Sequence, residues 1–328
     1  MAEPKQDTLS MESLSAKFSI AASVLKSDPS LLQALYRIMG MDKTGKKKTG
    51  TQITDPALQK QILMQTDWFA KNTEDYRKYQ FAKQTNPTTF AADLKTNAEA
   101  IVKAYVTAGI KITAQEAIDL AQQVMMKSTV SNGKVVTFDA NYLKRVMAGA
   151  IDFSKTKTVG GVTVFDTYGQ VETITQSLYK KAQDYGYTTS SSKEGFSQWM
   201  ENSVRGIMAG TLNINDVDNE MQKRAESMFP GLAAQLQTGK TLREAADPWL
   251  TAIANTWELN PKDLDLNDPT VQAVLNNQDD KGNVIPMNLM QAKTAARRNK
   301  EKWQFTGQAK EEYTNIGQKI LQDFGFLG

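Results

Sequence analysis

The stretch NPTTFAADLKTNAEAIVKAYVTAGIKITAQEA, residues 86–117, decides the fold class. Asn86 before Pro87 is the grammar of a helix start, an N-cap followed by a residue whose missing N–H costs nothing at the first helical position. Behind it Phe90, Leu94, Ala98, Ile101, Val102 and Tyr105 recur at spacings of three and four, the apolar stripe of one helix face. Gly109 then offers a residue that tolerates left-handed backbone angles and so ends the helix. Thr113 and Glu116 form a capping box for a second helix, Ala117 to Met126.

The same grammar extends outward in both directions. Six of the nine prolines follow Asp or Asn, at 28–29, 55–56, 86–87, 247–248, 260–261 and 268–269, and each pair is expected to open a helix. After Pro29 the residues Leu31, Leu32, Leu35, Ile38 and Met39 make a stripe that packs on Phe18, Ile20, Ala21, Val24 and Leu25, predicting a helical hairpin over 11–40. Further helices are expected over 140–150, 166–186, 192–209, 214–228, 231–238, 242–258 and 306–323. The middle differs: Asn132-Gly133 and Gly160-Gly161 each sit between β-branched residues, predicting small hairpins at 130–136 and 158–164. A third turn is expected at Asp279 to Asn283. The chain is thus expected to be all-α and multi-helix, with helical halves 1–127 and 166–328 joined by a hairpin-containing connector, 128–165. An echo between Ala104 to Ile110 and Ala182 to Thr188 suggests either two related helix–Gly–cap–helix units or the reuse of a joint common to helical proteins.

Composition excludes more chemistry than it suggests. The 328 residues contain no His and no Cys, which removes imidazole acid/base catalysis, Ser-His-Asp triads, His-ligated zinc, thiolate nucleophiles and disulfides. Absence of Cys suits a reducing compartment, and equally a particle that leaves the cell and must not crosslink. No apolar run reaches the length of a membrane helix, and the start MAEPKQDTLS carries no secretory pattern, so synthesis in a cytoplasm is expected. Net charge is +3, with 17 basic and 13 acidic residues over 1–127, 5 and 2 over 128–165, and 17 and 21 over 166–328. That balance is far less basic than a nucleic-acid footprint usually requires, so nucleic acid is not the favoured partner.

Several stretches imitate functional motifs and fail on context. Gly40 to Lys47 has the glycine and lysine spacing of a phosphate loop. Lys47 occupies the place of the magnesium-holding hydroxyl, and no strand precedes Gly40, so Gly40 to Gly50 reads as a solvated basic linker. Asp263 to Asn267 begins like a calcium loop, yet Asp268 replaces the turn glycine and Val274 the bidentate glutamate. Its carboxylates are expected to cap the helix at Pro269. Asp323-Phe324-Gly325 lacks the His-containing loop a kinase would need and reads as a helix end. Arg297 to Trp303 could contact phosphates and stack a base, or be a helix C-terminus whose cations complement the dipole. Fourteen Met, and Trp68, Phe69, Tyr76, Tyr79 and Phe81, read as core and adaptable packing surface. No metal or cofactor site is expected.

One catalytic reading remains open. Glu226-Ser227 resembles the signature of lytic transglycosylases, which cleave peptidoglycan with a single glutamic acid and need neither His nor Cys. That use would require Glu226 in an apolar cleft that raises its pKa. The downstream Gly-Leu-Met-Gln element of those enzymes is replaced by Gly231 to Leu236. Glu226 otherwise reads as an exposed residue of a helix whose inner face is Val217, Met221, Ala225, Met228 and Phe229.

A wider resemblance rests on Ser27-Asp28-Pro29-Ser30-Leu31, Thr66-Asp67-Trp68-Phe69, Tyr76-Arg77 and Asn86-Pro87 in the front half. In the back half it rests on Ser227 to Gly231, Asp247-Pro248-Trp249, Glu258 to Pro261, Asp268-Pro269-Thr270 and Leu321 to Gly325. In this order they resemble helical virion proteins of tailed bacteriophages, especially phages of actinobacteria. The resemblance implies a non-enzymatic structural protein of the particle, in the tail or delivered with the genome. Other virion proteins are the expected partners, and a homo-oligomer is a further possibility. A virion-associated transglycosylase using Glu226 and a cytoplasmic helical adaptor are the alternatives. The hairpins at 130–136 and 158–164 read as contact surfaces for a partner's strand or as connectors folded back on the helices.

Overall fold

The computed structural model describes residues 10–47, 51–131, 134–159, 162–188 and 193–323. Helix accounts for 69% of the residues and strand for 5%, so the protein is mainly α. The chain divides into two compact units, 1–150 and 151–328. The boundary falls inside the 128–165 segment and leaves one hairpin in each unit.

The first unit contains α1 (Met11–Phe18), α2 (Ala22–Ser27), α3 (Pro29–Ile38), α4 (Pro56–Met64), α5 (Asp67–Lys71), α6 (Glu74–Thr85), α7 (Pro87–Ala108), α8 (Ala114–Met126), β1 (Ser128–Ser131), β2 (Lys134–Thr137) and α9 (Tyr142–Gly149). The second contains β3 (Thr156–Val159), β4 (Val162–Phe165), α10 (Gly169–Asp184), α11 (Lys193–Ala209), α12 (Ile214–Met228), α13 (Ala233–Leu236), α14 (Leu242–Trp257), α15 (Pro269–Leu275), α16 (Leu289–Arg298), α17 (Lys300–Trp303) and α18 (Gly307–Asp323). Both hairpins are antiparallel, and the registers Ser131↔Lys134 and Val159↔Val162 flank two-residue loops. The loop residues, Asn132-Gly133 and Gly160-Gly161, lie outside the described residues.

Sequence grammar and structure agree at most helix starts. Pro29, Pro56, Pro87 and Pro269 each occupy the first helical position, and Pro261 opens a single 3₁₀ turn. Asp247-Pro248 is the exception. A capping box of Thr241 and Glu244 starts α14 earlier and carries it through Pro248. The ring removes one backbone hydrogen bond there, and burial of Leu242, Leu250, Ile253 and Trp257 along the same helix offsets the loss. The hairpin expected over 11–40 is instead three short helices, since Ser19 takes left-handed angles and ends α1. Leu14, Leu25, Leu31, Leu35 and Ile38 from these helices, with Ile20 from the link between the first two, join Ile62 and Leu63 of α4 in the core.

Gly109, Gly186 and Gly210 all adopt positive φ. The next residue's N–H bonds a carbonyl five positions back in each case, Ile110 to Tyr105, Tyr187 to Ala182 and Thr211 to Gly206. The joint common to residues 104–110 and 182–188 is therefore reused elsewhere and does not single out a pair of units.

A different repetition is visible only in the structure. Asp42 to Lys46 and Asp279 to Asn283 form the same turn. The Asp N–H reaches the carbonyl of the fifth residue at 2.9 and 3.0 Å, and the glycine N–H returns to the Asp carbonyl at 3.0 and 2.9 Å. Asp Oδ1 accepts from the N–H of the third and fifth residues in both turns. These bonds, and the Thr44 hydroxyl or the Asn283 amide, hold both carboxyls below the usual carboxylate range. Isolated antiparallel bridges, Met41↔Lys47 and Gln278↔Val284, flank the two turns. Gly45 and Gly282 have φ near +79° and +82°, and a Cβ on Gly45 would stand 2.9 Å from the Tyr36 ring. Residues 41–47 are thus an ordered turn rather than a linker, while residues 48–50 lie outside the described residues.

What surrounds the turns repeats as well. A left-handed non-glycine cap, Ser19 or Glu258, precedes an Asp-Pro helix, α3 or α15. The turn follows, and the chain doubles back so that Ile53 N–H bonds Ile38 and Met287 N–H bonds Val274, both at 2.9 Å. Capped helices α4 and α16 come next, then short helices α5 and α17 that each carry a tryptophan, Trp68 and Trp303. Thr73 and Thr306 then cap α6 and α18. The caps Asp55 and Asn288 precede Thr73 and Thr306 by the same 18 positions.

Candidate functional site

An apolar concavity lies on the first unit. Because the Gly109 joint is short, α7 and α8 run back along one another. Between them is an open groove of about 550 Å³. Leu94, Ala98, Val102 and Val106 supply its floor at one helical turn each, and Ala117 and Ile118 come from α8. The periodicity that predicted α7 thus describes a stripe wider than one core needs. Phe90, Ile101 and Tyr105 are buried inside the unit, whereas Val106 remains 67% exposed in the groove. Lys95, Glu99 and Lys103 line the rim. A surface of this kind suits contact with another apolar surface.

Toward the start of α7 the same stripe is covered. Tyr79 of α6 meets Phe90 of α7 edge to face, with ring centroids 5.0 Å apart, and Tyr79 is only 7% exposed. Burial pushes its phenol pKa up. Trp68, Phe69 and Arg77 form a neighbouring cluster in which the guanidinium stacks 4.3 Å from the Phe69 ring.

The residues singled out as chemical candidates do not converge. Glu226 is half-buried on α12, not exposed, and its Oε1 accepts a 2.9 Å hydrogen bond from the Gln222 amide one turn earlier. Beside it Val217, Met221, Ala225 and Phe229 face the core as expected, with Met228 half-buried. Two carboxylates in and beside the calcium-like stretch are engaged. Asp265 accepts from Asn267 N–H at 2.9 Å, while Asp268 caps α15 at Thr270 and pairs with Lys302 at 2.5 Å. Among the described residues no three acidic side chains are grouped to hold a metal ion.

Trp303 bears on the reading of the strip 297–303. Its ring is 6% exposed, with Arg297 stacked 5.1 Å from the ring centroid, and is closed to a base. Lys302 lies 4.3 Å from the Trp257 ring. Asp323 ends α18, and Phe324-Gly325 lies outside the described residues. In the second unit Tyr187, Phe196 and Trp199 make an aromatic cluster, but the cation position over Tyr187 is taken by the chain's own Arg224 at 3.7 Å.

The second hairpin is tied down at its base. Lys157 pairs with Glu172 of α10 at 2.9 Å and with Asp166 at 3.5 Å, and Phe165 packs edge to face on Phe153 at 4.9 Å. Val159 near its tip remains exposed.

Glu258 ends α14 and starts α18. Its carboxylate accepts from Gly307 N–H at 2.8 Å and Gln308 N–H at 3.0 Å, which holds its pKa below the usual glutamate range. A depressed folded-state pKa contributes stability that is full above the unfolded value, about 4.3, and is lost as pH falls through the folded one. Amide exchange at Gly307 and Gln308, corrected for intrinsic rates, should therefore accelerate as the pH falls below the ordinary glutamate range. In Glu258→Gln that acid-dependent acceleration should vanish.

No described helix is long and apolar enough to cross a membrane. No family model, curated protein or solved structure matches this chain.

Proposed function

We propose that the protein is a non-enzymatic structural component of a tailed-phage virion, made in the host cytoplasm and acting by packing against other virion proteins. The observation that carries the reading is the apolar α7–α8 groove, whose alkyl lining, with Lys95, Glu99 and Lys103 beside it, suits packing against another protein. Two further facts support it. The chain lacks His and Cys, and carboxylates that imitated catalytic or metal motifs serve as caps, ion pairs or intrahelical acceptors. The helical character also accords with the resemblance to phage virion proteins.

The transglycosylase alternative makes an opposed prediction. Glu226 is bonded along its own helix, so Glu226→Gln should preserve that bond and change stability by less than about 0.5 kcal/mol. Peptidoglycan release by purified particles should be the same with wild-type and variant protein. A selective loss of release in the variant would overturn the structural reading. Mass spectrometry of purified particles tests the virion assignment itself, which fails if the chain is absent from them.

A further inference from the structure

We propose that the turn Asp42 to Lys46, with Arg37 and Lys47 beside it, is a binding site for the phosphates of duplex DNA. Five basic residues and one acidic residue fall within 37–48, and Arg37, Lys43, Lys46 and Lys47 are all exposed. Among the described residues no ion pair engages any of these four. Asp42, the acid of the stretch, is committed to the turn itself. Its Oδ1 accepts from Thr44 N–H at 2.8 Å, the Thr44 hydroxyl at 2.7 Å and Lys46 N–H at 3.0 Å. The next acids along the chain, Asp28 and Asp55, cap α3 and α4. Exposed cations gathered without counter-charges raise the local positive potential and draw an anion.

The second copy of the turn shows that its backbone does not need these lysines. Asp280, Asn283 and Val284 stand where Lys43, Lys46 and Lys47 stand in the first, yet the same hydrogen bonds and the same flanking bridge form. Over matched positions, 42–47 carry three lysines and one aspartate, whereas 279–284 carry one lysine and two aspartates. The positive charge of the first turn is therefore surplus to folding. What the fold supplies is placement. Met41 N–H bonds the Tyr36 carbonyl at 2.8 Å, and Gly45 lies so close to the Tyr36 ring that a Cβ would stand 2.9 Å from it. The turn is thereby fixed to the end of α3 beside Arg37. An open hollow of about 490 Å³ lies there, and its charged lining is Arg37, Lys43 and Asp42.

The surroundings select the partner. Lysines act as point charges that meet phosphates without reading bases. Between residues 37 and 47 no large apolar side chain is exposed, although a membrane-surface site would present such anchors. Tyr36, the aromatic at hand, is half-buried with its ring against Gly45, and is no platform for stacking unpaired bases. A duplex offers a dense line of phosphates, about one charge per 1.7 Å of axis. With a net charge of only +3 over the whole chain, the contact is local, sequence-independent and sensitive to salt.

Fluorescence anisotropy of a labelled DNA duplex of arbitrary sequence, titrated with the purified full-length chain between about 50 and 200 mM salt, tests it. Wild type should bind with an affinity whose logarithm falls with log salt at a slope of about 3–4, near 0.9 per phosphate engaged. Lys43→Asp with Lys46→Asn and Lys47→Val gives the first turn the residues of the second, so helical circular dichroism should be retained. Affinity at the lowest salt should fall at least about tenfold, and the slope should flatten by about two to three. Arg298→Ala with Lys300→Ala, exposed cations of the other unit, should change neither. Single-stranded DNA of the same sequence, and vesicles of phosphatidylcholine with phosphatidylserine, should bind more weakly than the duplex. No duplex binding by wild type, an unchanged affinity and slope in the triple variant, an equal loss in the Arg298 and Lys300 variant, or tighter capture by single strands or vesicles would each overturn the proposal. If the triple variant unfolds, Lys43→Gln with Lys46→Gln replaces it, two exposed changes that should flatten the slope by about two. An unaltered slope in that variant would also overturn it. Every arm uses the isolated protein, so failure here leaves the virion assignment to its own test.

Discussion

Phe229→Ala is expected to destabilise the second unit by about 3–5 kcal/mol, the cost of a large aromatic removed from a closed site. Phe229 is fully buried. It terminates α12, its N–H bonding Ala225 carbonyl at 2.8 Å, and leads into the 3₁₀ turn Pro230–Leu232. The substitution therefore leaves a void where α12 turns toward α13, and the next residues have little freedom to close it. A Cβ on Gly231 would already lie 2.8 Å from Pro286 and 3.1 Å from the Val284 carbonyl. At about 2–4 °C per kcal/mol for a unit of this size, melting should fall by roughly 10 °C. Calorimetry of Phe229→Ala beside Glu226→Gln makes the comparison sharp, because both residues lie in the stretch that resembles an enzyme signature. A large loss at Phe229 with none at Glu226 identifies that stretch as a packing motif. Equal, small effects would contradict the burial on which this rests.

Trp303→Ala is expected to cost a similar amount, about 3–5 kcal/mol. The indole is nearly buried, carries Arg297 on its face, and sits in the short helix that connects α16 to α18. Its backbone is equally committed, with Trp303 N–H bonding Asn299 carbonyl at 2.9 Å and Thr306 N–H bonding Trp303 carbonyl at 3.0 Å. Arg298 and Lys300, by contrast, are exposed, and Arg298→Ala with Lys300→Ala should stay within about 0.5 kcal/mol per site. Denaturant unfolding distinguishes the cases. If the strip were instead a nucleic-acid surface, the paired cation variant would lower the salt dependence of nucleic-acid binding while Trp303→Ala left stability intact.

The candidate site was half legible. The positions 94, 98, 102 and 106 of α7 were visible as part of a stripe, but a stripe states only that a face is apolar. Which part of it is covered depends on where α6 and α8 come to lie. Phe90 is covered because Tyr79 packs on it, and Val106 is not. Repetition was missed for a related reason. Asp42 to Lys46 and Asp279 to Asn283 share only Asp at the first and Gly at the fourth position, and the helices leading into them differ in length. The likeness lies in backbone hydrogen bonds that many side chains permit.

The sequence by itself determined the local structure: helix starts at Pro29, Pro56, Pro87 and Pro269, the stop at Gly109, the hairpin registers around 132–133 and 160–161, and the chemistry excluded by the absence of His and Cys. Those features follow from interactions within a few residues, where a cap, a fixed φ or a left-handed glycine leaves few alternatives. Tertiary structure alone decided the rest. It carried α14 through Pro248, ordered the turn at Gly45 against Tyr36, buried Trp303, and left Val106 and Tyr313 uncovered. Each of these outcomes is a competition between a local preference and burial against residues distant in the chain, and contacts that the chain makes only once folded settle it.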